Sequence, residues 1–306
     1  MRTGGKDTDC SAEKEFIKGR RAAQSAKAPA PPAAVSRIRQ WKTTKKGALP
    51  VNPYMRNLNR LEFVVTYACT GRCKHCSEGA HDNAGVWLGA ELAASAVRDA
   101  AGAYAIASVM TFGGEPLLYP ETVFAIHEAA RAAGVPKRQL ITNGFFCAKQ
   151  AQREETARRL AQCGVNDVLL SVDAFHQETI PLAPVREFAE ALLGQGVPLH
   201  THPAWLVGPA HDNPYNRRTN EILAEFQAIG VARSDGNVIH PAGNALLWLR
   251  DYFEQDVRSV SPYEEDPRDM RAVCVDPDGS VAGGNLYDAG MLDILDAYVP
   301  PGEPSA

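Results

Sequence analysis

Leu61–Cys76 reads LEFVVTYACTGRCKHC, a six-residue apolar, β-rich run that leads into three cysteines, Cys69, Cys73 and Cys76, within eight residues. A short apolar run bounded by polar residues is the pattern of a buried strand. The CxxxCxxC loop that follows can place three thiolates on one soft-metal object and leaves a fourth coordination position open. Iron–sulfur clusters are usually held by four cysteines, so three in one loop imply a [4Fe–4S] cubane with one iron available to another ligand. Zinc, a disulfide with a spare cysteine, or three plain core thiols are the alternatives. Structural zinc sites want four ligands and paired knuckles, and no second CxxC or HxxxH completes one. Disulfides fit poorly with seven cysteines, an odd count, and with no secretory signal. His75 lies inside the loop, where strain opposes its reaching the same metal as Cys73 and Cys76.

Outward from this stretch, strands and helices alternate. Strands are expected at Leu61–Thr66, Ala107–Phe112, Gln139–Thr142, Asp167–Val172, Pro198–Leu206 and Val238–His240. Helices are expected at Leu88–Tyr104, Pro120–Ala133, Gln150–Cys163, Val185–Leu193 and Thr219–Ile229. Repeating βα units of about 30 residues demand a parallel sheet with right-handed crossovers. Six such units predict an α/β fold, a partial (β/α)6 TIM-like barrel over 58–242, rather than the closed eight-unit form. Ligands of such folds bind at the carboxyl ends of the strands. The cysteines follow strand one, Gly113-Gly114-Glu115-Pro116 strand two, Asn143-Gly144 strand three and Asp173-Ala174-Phe175-His176 strand four.

In that order and context, CTGRCKHC and TFGGEP resemble the cysteine loop and the GGEP motif of the radical S-adenosylmethionine (radical SAM) enzymes, over about residues 58–242. The resemblance implies a [4Fe–4S] cluster on Cys69, Cys73 and Cys76, with the amino and carboxylate groups of S-adenosylmethionine on the fourth iron. The reduced cluster then cleaves the sulfonium to methionine and a 5′-deoxyadenosyl radical, which abstracts hydrogen from a substrate. It also implies cofactor contacts. His75 would pack near the adenine, and Gly113 and Gly114 would let the backbone approach the amino group. Glu115 would accept from that ammonium within the Gly113–Pro116 turn. Asn143, Ser171 and Asp173 would reach the ribose or the methionine carboxylate. His200 and His202, two apart on strand five, would point the same way, toward the barrel interior as cofactor or substrate contacts, as an HxH metal pair or as satisfied core histidines. His202 is the one carried forward as a cofactor contact. Cys147 and Cys163 read as inert buried thiols.

Composition suits an enzyme with a large core: 45% hydrophobic, 22% charged, net charge −4. No apolar run reaches the roughly 18 residues a membrane span needs. The N-terminus is basic, without the hydrophobic segment of a signal peptide, so a reducing cytoplasm is the expected compartment. Residues 1–60 carry 14 Lys/Arg against 4 Asp/Glu, and Ala28–Val35 (APAPPAAV) cannot build regular structure. Residues 1–57 are therefore expected to form a basic, disordered arm, read as a solvated tail rather than a grip on an acidic partner or nucleic acid, because its three aromatics (Phe16, Trp41 and Tyr54) are too few to interleave its charges as base-stacking platforms; nucleic acid is not an expected partner. Residues 243–306 are expected to form a C-terminal extension. Its Cys274…Asp278-Gly279…Gly284-Asn285 pattern is similar to a degenerate SPASM-like segment that has lost its auxiliary cluster. The resemblance makes a peptide or protein the expected substrate, with a small molecule as the alternative, and flavodoxin or ferredoxin as electron donor. The contrasting class is a non-catalytic iron–sulfur protein, which would have no use for the GGEP turn.

Overall fold

A computed structural model describes residues 52–81, 85–253 and 264–302. All but the last six residues of the expected basic arm lie outside the described residues. Seven strands form one parallel sheet in the order β7-β5-β4-β3-β2-β1-β9. They are β1 (Arg60–Val64), β2 (Ser108–Phe112), β3 (Lys137–Thr142), β4 (Asp167–Leu170), β5 (Leu199–Thr201), β7 (Ala232–Arg233) and β9 (Ala272–Val275). The first four strands follow the expectation with small changes of boundary, and the fold is the partial TIM-like barrel.

The helices between the strands carry the outer layer. α1 (Ala90–Ala103) and α2 (Pro120–Ala132) cover β1 and β2, while α3 (Gln150–Cys163) and α5 (Leu182–Gly194) cover β3 and β4. α1 buries Ala93, Ala94, Ala96, Val97 and Ala100, an i, i+3, i+4, i+7 stripe of small residues against the core. α2 opens on Pro120, which needs no N–H there. α3 stops at Gly164, whose φ of 91° is the left-handed cap that glycine adopts without penalty.

Two departures occur on the far side of the barrel. The expected fifth strand, Pro198–Leu206, is split into β5 and β6 (Ala204–Trp205). Pro203 lies between them and has no N–H to give a ladder. The expected sixth strand, Val238–His240, is found one residue earlier as β8 (Asn237–Val238), and it pairs with β6 in a separate two-stranded ribbon. The position beside β5 is taken by β7, which was not expected.

The seventh strand comes from beyond residue 242. β9 runs parallel to β1 with Arg60 opposite Ala272 and Phe63 opposite Val275. It is followed by the hairpin β10 (Ser280–Val281) and β11 (Gly284–Asn285), and by α8 (Met291–Ala297), which buries Met291, Ile294 and Leu295 in the same core as α1. The single cysteine of this segment, Cys274, faces Glu62 across the ladder.

Candidate functional site

The loop after β1 is held from several sides before any ligand is considered. Gly114 N–H donates to the Thr66 carbonyl (2.8 Å), and Glu115 N–H to that of Ala68 (2.8 Å). A Cβ on Gly114 would lie 2.2 Å from the Ala68 carbonyl oxygen, and Gly113, at φ 133°, would bring one within 2.5 Å of Thr66 O. The two glycines are required by this backbone contact. Gly114→Ala is expected to push the cysteine loop off the β2 turn at a cost of about 3 kcal/mol or more, read as a lowered unfolding midpoint and loss of iron on reconstitution.

From the other side, Gly243 and Asn244 at the start of α7 (Gly243–Trp248) close on the loop. Asn244 N–H donates to Cys76 O (2.8 Å), and its Nδ2 to Cys73 O (3.1 Å). A Cβ at Gly243 would meet Ser77 O at 2.3 Å. No sequence signal pointed to this clasp, because its partners are backbone carbonyls 171 residues away.

The three cysteines are unpaired, with Cys73 buried and Cys69 and Cys76 half-buried. Burial pushes the Cys69 thiol up to about 11 and raises Cys73 and Cys76 as well. All three border a cavity of about 270 Å³ at the carboxyl ends of the strands. Its wall also contains His75, Gly113, Gly114, Asn143, Ser171 and His202, so these six expected contacts are brought together with the three thiols.

Glu115, Pro116 and Asp173 are not on the wall. Glu115 is fully buried. Its carboxylate accepts from Leu117 N–H (3.0 Å), from the Thr142 hydroxyl (2.8 Å) and from Asn143 N–H (2.8 Å). Both oxygens are occupied in tying the β2 turn to the end of β3, so the carboxylate is a brace. Burial pushes it up to about 7 against those donors. Pro116 is buried at the start of a 3-10 turn. Asp173 caps α4 (Ala174–Gln177), accepting from Phe175 N–H, His176 N–H, Ala204 N–H and His176 Nδ1 (2.8 Å). Burial pushes its carboxyl up, but His176 and the converging N–H donors outweigh it and hold it well below the ordinary range.

His202 reaches the wall with both nitrogens engaged. Its Nδ1 is 3.0 Å from Ser234 Oγ, whose own hydrogen goes to Thr201 O, so Nδ1–H is the donor. Nε2 then accepts from Asn237 Nδ2 at 2.9 Å. Burial lowers its pKa, and it is a neutral, satisfied histidine. His200 turns to Asp167 (3.3 Å), so of the alternatives left open for these two histidines the structure favours satisfied side chains over an HxH metal pair. Cys147 and Cys163 are buried in the main core.

His176, His81, His240 and Asn237 also border the cavity, and of these only His176 lay in a stretch already placed at the strand ends. His176 packs edge-on to His75 at 4.8 Å between centroids, and His75 tilts against Phe175 at 5.2 Å. An N-cap Asp three residues before a histidine was the available signal for the first. Cys73, His75 and His176 offer ligand atoms within 4.8 Å of one another, so His75 does come near the Cys73 thiol. A single ion there would draw on Cys73 and leave Cys69 and Cys76 idle. His75 Nδ1 is buried without a partner, and burial lowers the ring to about 4.

Residues 63–194 match the profile of the Radical SAM superfamily. Among curated proteins, the chain is 29% identical over 131 residues to a GTP 3′,8-cyclase of Desulforamulus reducens, covering 42% of this chain and 38% of that one. A GTP 3′,8-cyclase of Moorella thermoacetica is 28% identical over 131 residues, covering 41% and 38%. The match thus spans under two-fifths of the length of these relatives. Among solved structures, SuiB of Streptococcus suis bound to S-adenosylmethionine superposes with a TM-score of 0.51 at 14% identity, over 80% of this chain and 67% of that one. anSMEcpe with bound S-adenosylmethionine gives 0.52 at 17% identity, over 78% and 80%. At such identities the likeness is one of fold. The Radical SAM match itself covers β1 to α5, and with them the cysteine loop at the mouth of the partial barrel.

Proposed function

We propose that this protein is a radical SAM enzyme that binds a [4Fe–4S] cluster through Cys69, Cys73 and Cys76 and S-adenosylmethionine in the adjoining cavity, and abstracts hydrogen from a peptide or protein substrate. The observation that carries the reading is the convergence of three unpaired thiols, the Gly113-Gly114 turn, Asn143 and Ser171 on one cavity. These residues fit the two cofactors. Burial disfavours bare thiolates, so a cationic centre is what would hold them deprotonated. The orphaned, buried Nδ1 of His75 has a use if a ligand partner fills the cavity. When bound, the pair supplies a one-electron cleavage that yields a hydrogen-abstracting 5′-deoxyadenosyl radical. The chain's own part is placement: the Glu115 brace, the Gly243-Asn244 clasp and the tilted His75–Phe175 contact hold the loop and wall in place. Flavodoxin or ferredoxin is the proposed electron donor.

The choice of a peptide rests on two supports. anSMEcpe, also seen with the Cp18Cys peptide bound, shares the fold at a TM-score of 0.50. The cavity wall has five histidines and, among the described residues, no Lys or Arg. A nucleoside triphosphate is recognised chiefly by Arg and Lys, so the GTP-type chemistry named for the curated relatives lacks its counter-charges here. A small-molecule substrate is the second reading, favoured by the sequence matches to those cyclases.

The test is anaerobic: reconstitute with iron and sulfide, reduce, add S-adenosylmethionine, and quantify 5′-deoxyadenosine by mass spectrometry. Its formation is the expected result. A four-iron protein that binds S-adenosylmethionine but never cleaves it, with dithionite or with flavodoxin, would instead make this a non-catalytic iron–sulfur protein.

A further inference from the structure

The three thiols are not equivalent in what surrounds them. Cys69 Sγ receives Gly71 N–H at 3.4 Å from its own loop. It also receives the Asn143 side-chain amide at 3.6 Å, from the end of β3. The amide's orientation is settled by its neighbours. Phe145 N–H is a donor and lies 2.8 Å from one terminal atom of Asn143, which is therefore the oxygen. The other atom is Nδ2, and its two hydrogens meet Cys69 Sγ and Thr70 Oγ1 (3.1 Å).

Asn143 is itself immobilised. Its backbone N–H is bound to Glu115 Oε2 at 2.8 Å, and the residue is 5% exposed. A buried glutamate of the β2 turn thus fixes the Asn143 backbone in the β3 turn, and from there the side chain, its oxygen held by Phe145 N–H, aims an N–H at a sulfur of the β1 loop. Sulfur has little pull on a neutral amide unless it carries charge, and a donor held this firmly is the arrangement found around metal-bound thiolates.

We infer that Asn143 acts as a hydrogen-bond donor to the Cys69 thiolate that raises the reduction potential of the bound cluster, with Glu115 as the residue that positions it. The inference rests on the proposed cluster at this loop. Hydrogen bonds to the sulfurs are one of the means by which proteins set cluster potentials. The donor stabilises the extra electron density of the reduced state, so its loss makes reduction harder. This role differs from the ribose or carboxylate contact expected of Asn143 from the resemblance, and it operates without S-adenosylmethionine.

The experiment is a mediator titration of the reconstituted full-length protein, without S-adenosylmethionine, followed by the electron paramagnetic resonance of the reduced cluster. Asn143→Leu keeps the bulk and removes the donor. Asn143→Asp keeps an oxygen for Phe145 N–H and also removes it. Thr70→Val keeps the donor and alters the loop beside it. In Asn143→Leu the ratio of reduced to oxidised cluster at a fixed potential is expected to fall about tenfold, equivalent to 59 mV for one electron. Asn143→Asp should move the same way, and Thr70→Val should not fall.

A fully loaded Asn143→Leu or Asn143→Asp protein with the wild-type potential would overturn the inference. So would a fall of the same size in Thr70→Val, or loss of iron from both Asn143 variants, since the residue would then only hold the loop. Failure of the wild-type protein to hold four irons is a different outcome, and it would remove the proposed function itself.

Discussion

Cys73→Ala is expected to abolish the visible absorption of the reconstituted protein and to reduce 5′-deoxyadenosine formation by more than about 100-fold, beyond the 10–100-fold typical of changes around a metal's ligands. Cys73 is the most buried of the three loop thiols, 7% exposed. Its backbone carbonyl anchors the loop by accepting from Cys76 N–H (3.2 Å) and Asn244 Nδ2 (3.1 Å). Alanine keeps both bonds, so the loop should retain its course and the loss should fall on the cluster alone. Circular dichroism and the unfolding midpoint check that the fold survives, and iron analysis checks the ligand role. A variant that still binds four irons and cleaves S-adenosylmethionine normally would remove Cys73 from the ligand set.

Glu115→Ala should destabilise the protein by about 3–5 kcal/mol, measured as the shift in denaturant midpoint of the cluster-free chain. The substitution strands Leu117 N–H, Asn143 N–H and the Thr142 hydroxyl in a buried place. Each orphaned group costs about 1–3 kcal/mol. Against a total of about 5–15 kcal/mol for a typical domain, that is a large share. Any weakening of S-adenosylmethionine binding would then come from release of the β2 and β3 turns, since both carboxylate oxygens are already engaged. Glu115→Gln should recover part of the stability, because its amide oxygen can still accept from one of the two backbone donors.

Glu115 also makes stability depend on pH in a stated direction. Its folded value of about 7 lies above the ordinary 4.5. The native state therefore holds a proton that the unfolded state releases first. Stability from this group falls as pH rises from about 4.5 to about 7 and is level above that. In Glu115→Gln this leg of the profile should be missing from denaturation curves collected between pH 5 and 8. An unchanged profile would mean that the three donors keep the carboxylate ionised throughout.

The separate roles of the GGEP residues show how far sequence reading reaches. Motif and position were legible: a glycine pair after strand two, facing a cysteine loop after strand one. Their physical reason was not. The glycines are demanded by carbonyl oxygens of Thr66 and Ala68 that only the folded loop brings close. Glu115 looked like a ligand clamp because a carboxylate on a rim is normally available, yet tertiary packing supplied three donors and sealed it. His202 likewise looked available until Ser234 and Asn237, more than 30 residues away, took both its nitrogens.

The sequence alone determined the local matters: strand and helix identity for the first four βα units, the helix stops, and the spacing that puts three thiols in one loop. These follow from periodicity and backbone chemistry, which act between near neighbours. Only the tertiary structure decided the pairings between distant segments. The chain after Pro203 could join the main sheet or fold aside, and its short strands carry too few side chains to distinguish the two. The same holds for β9, four residues whose partner β1 lies more than 200 positions earlier. The choice came from completing the edge of β1 and burying Val273 and Val275 beside Phe63, a gain that exists only once the sheet is formed.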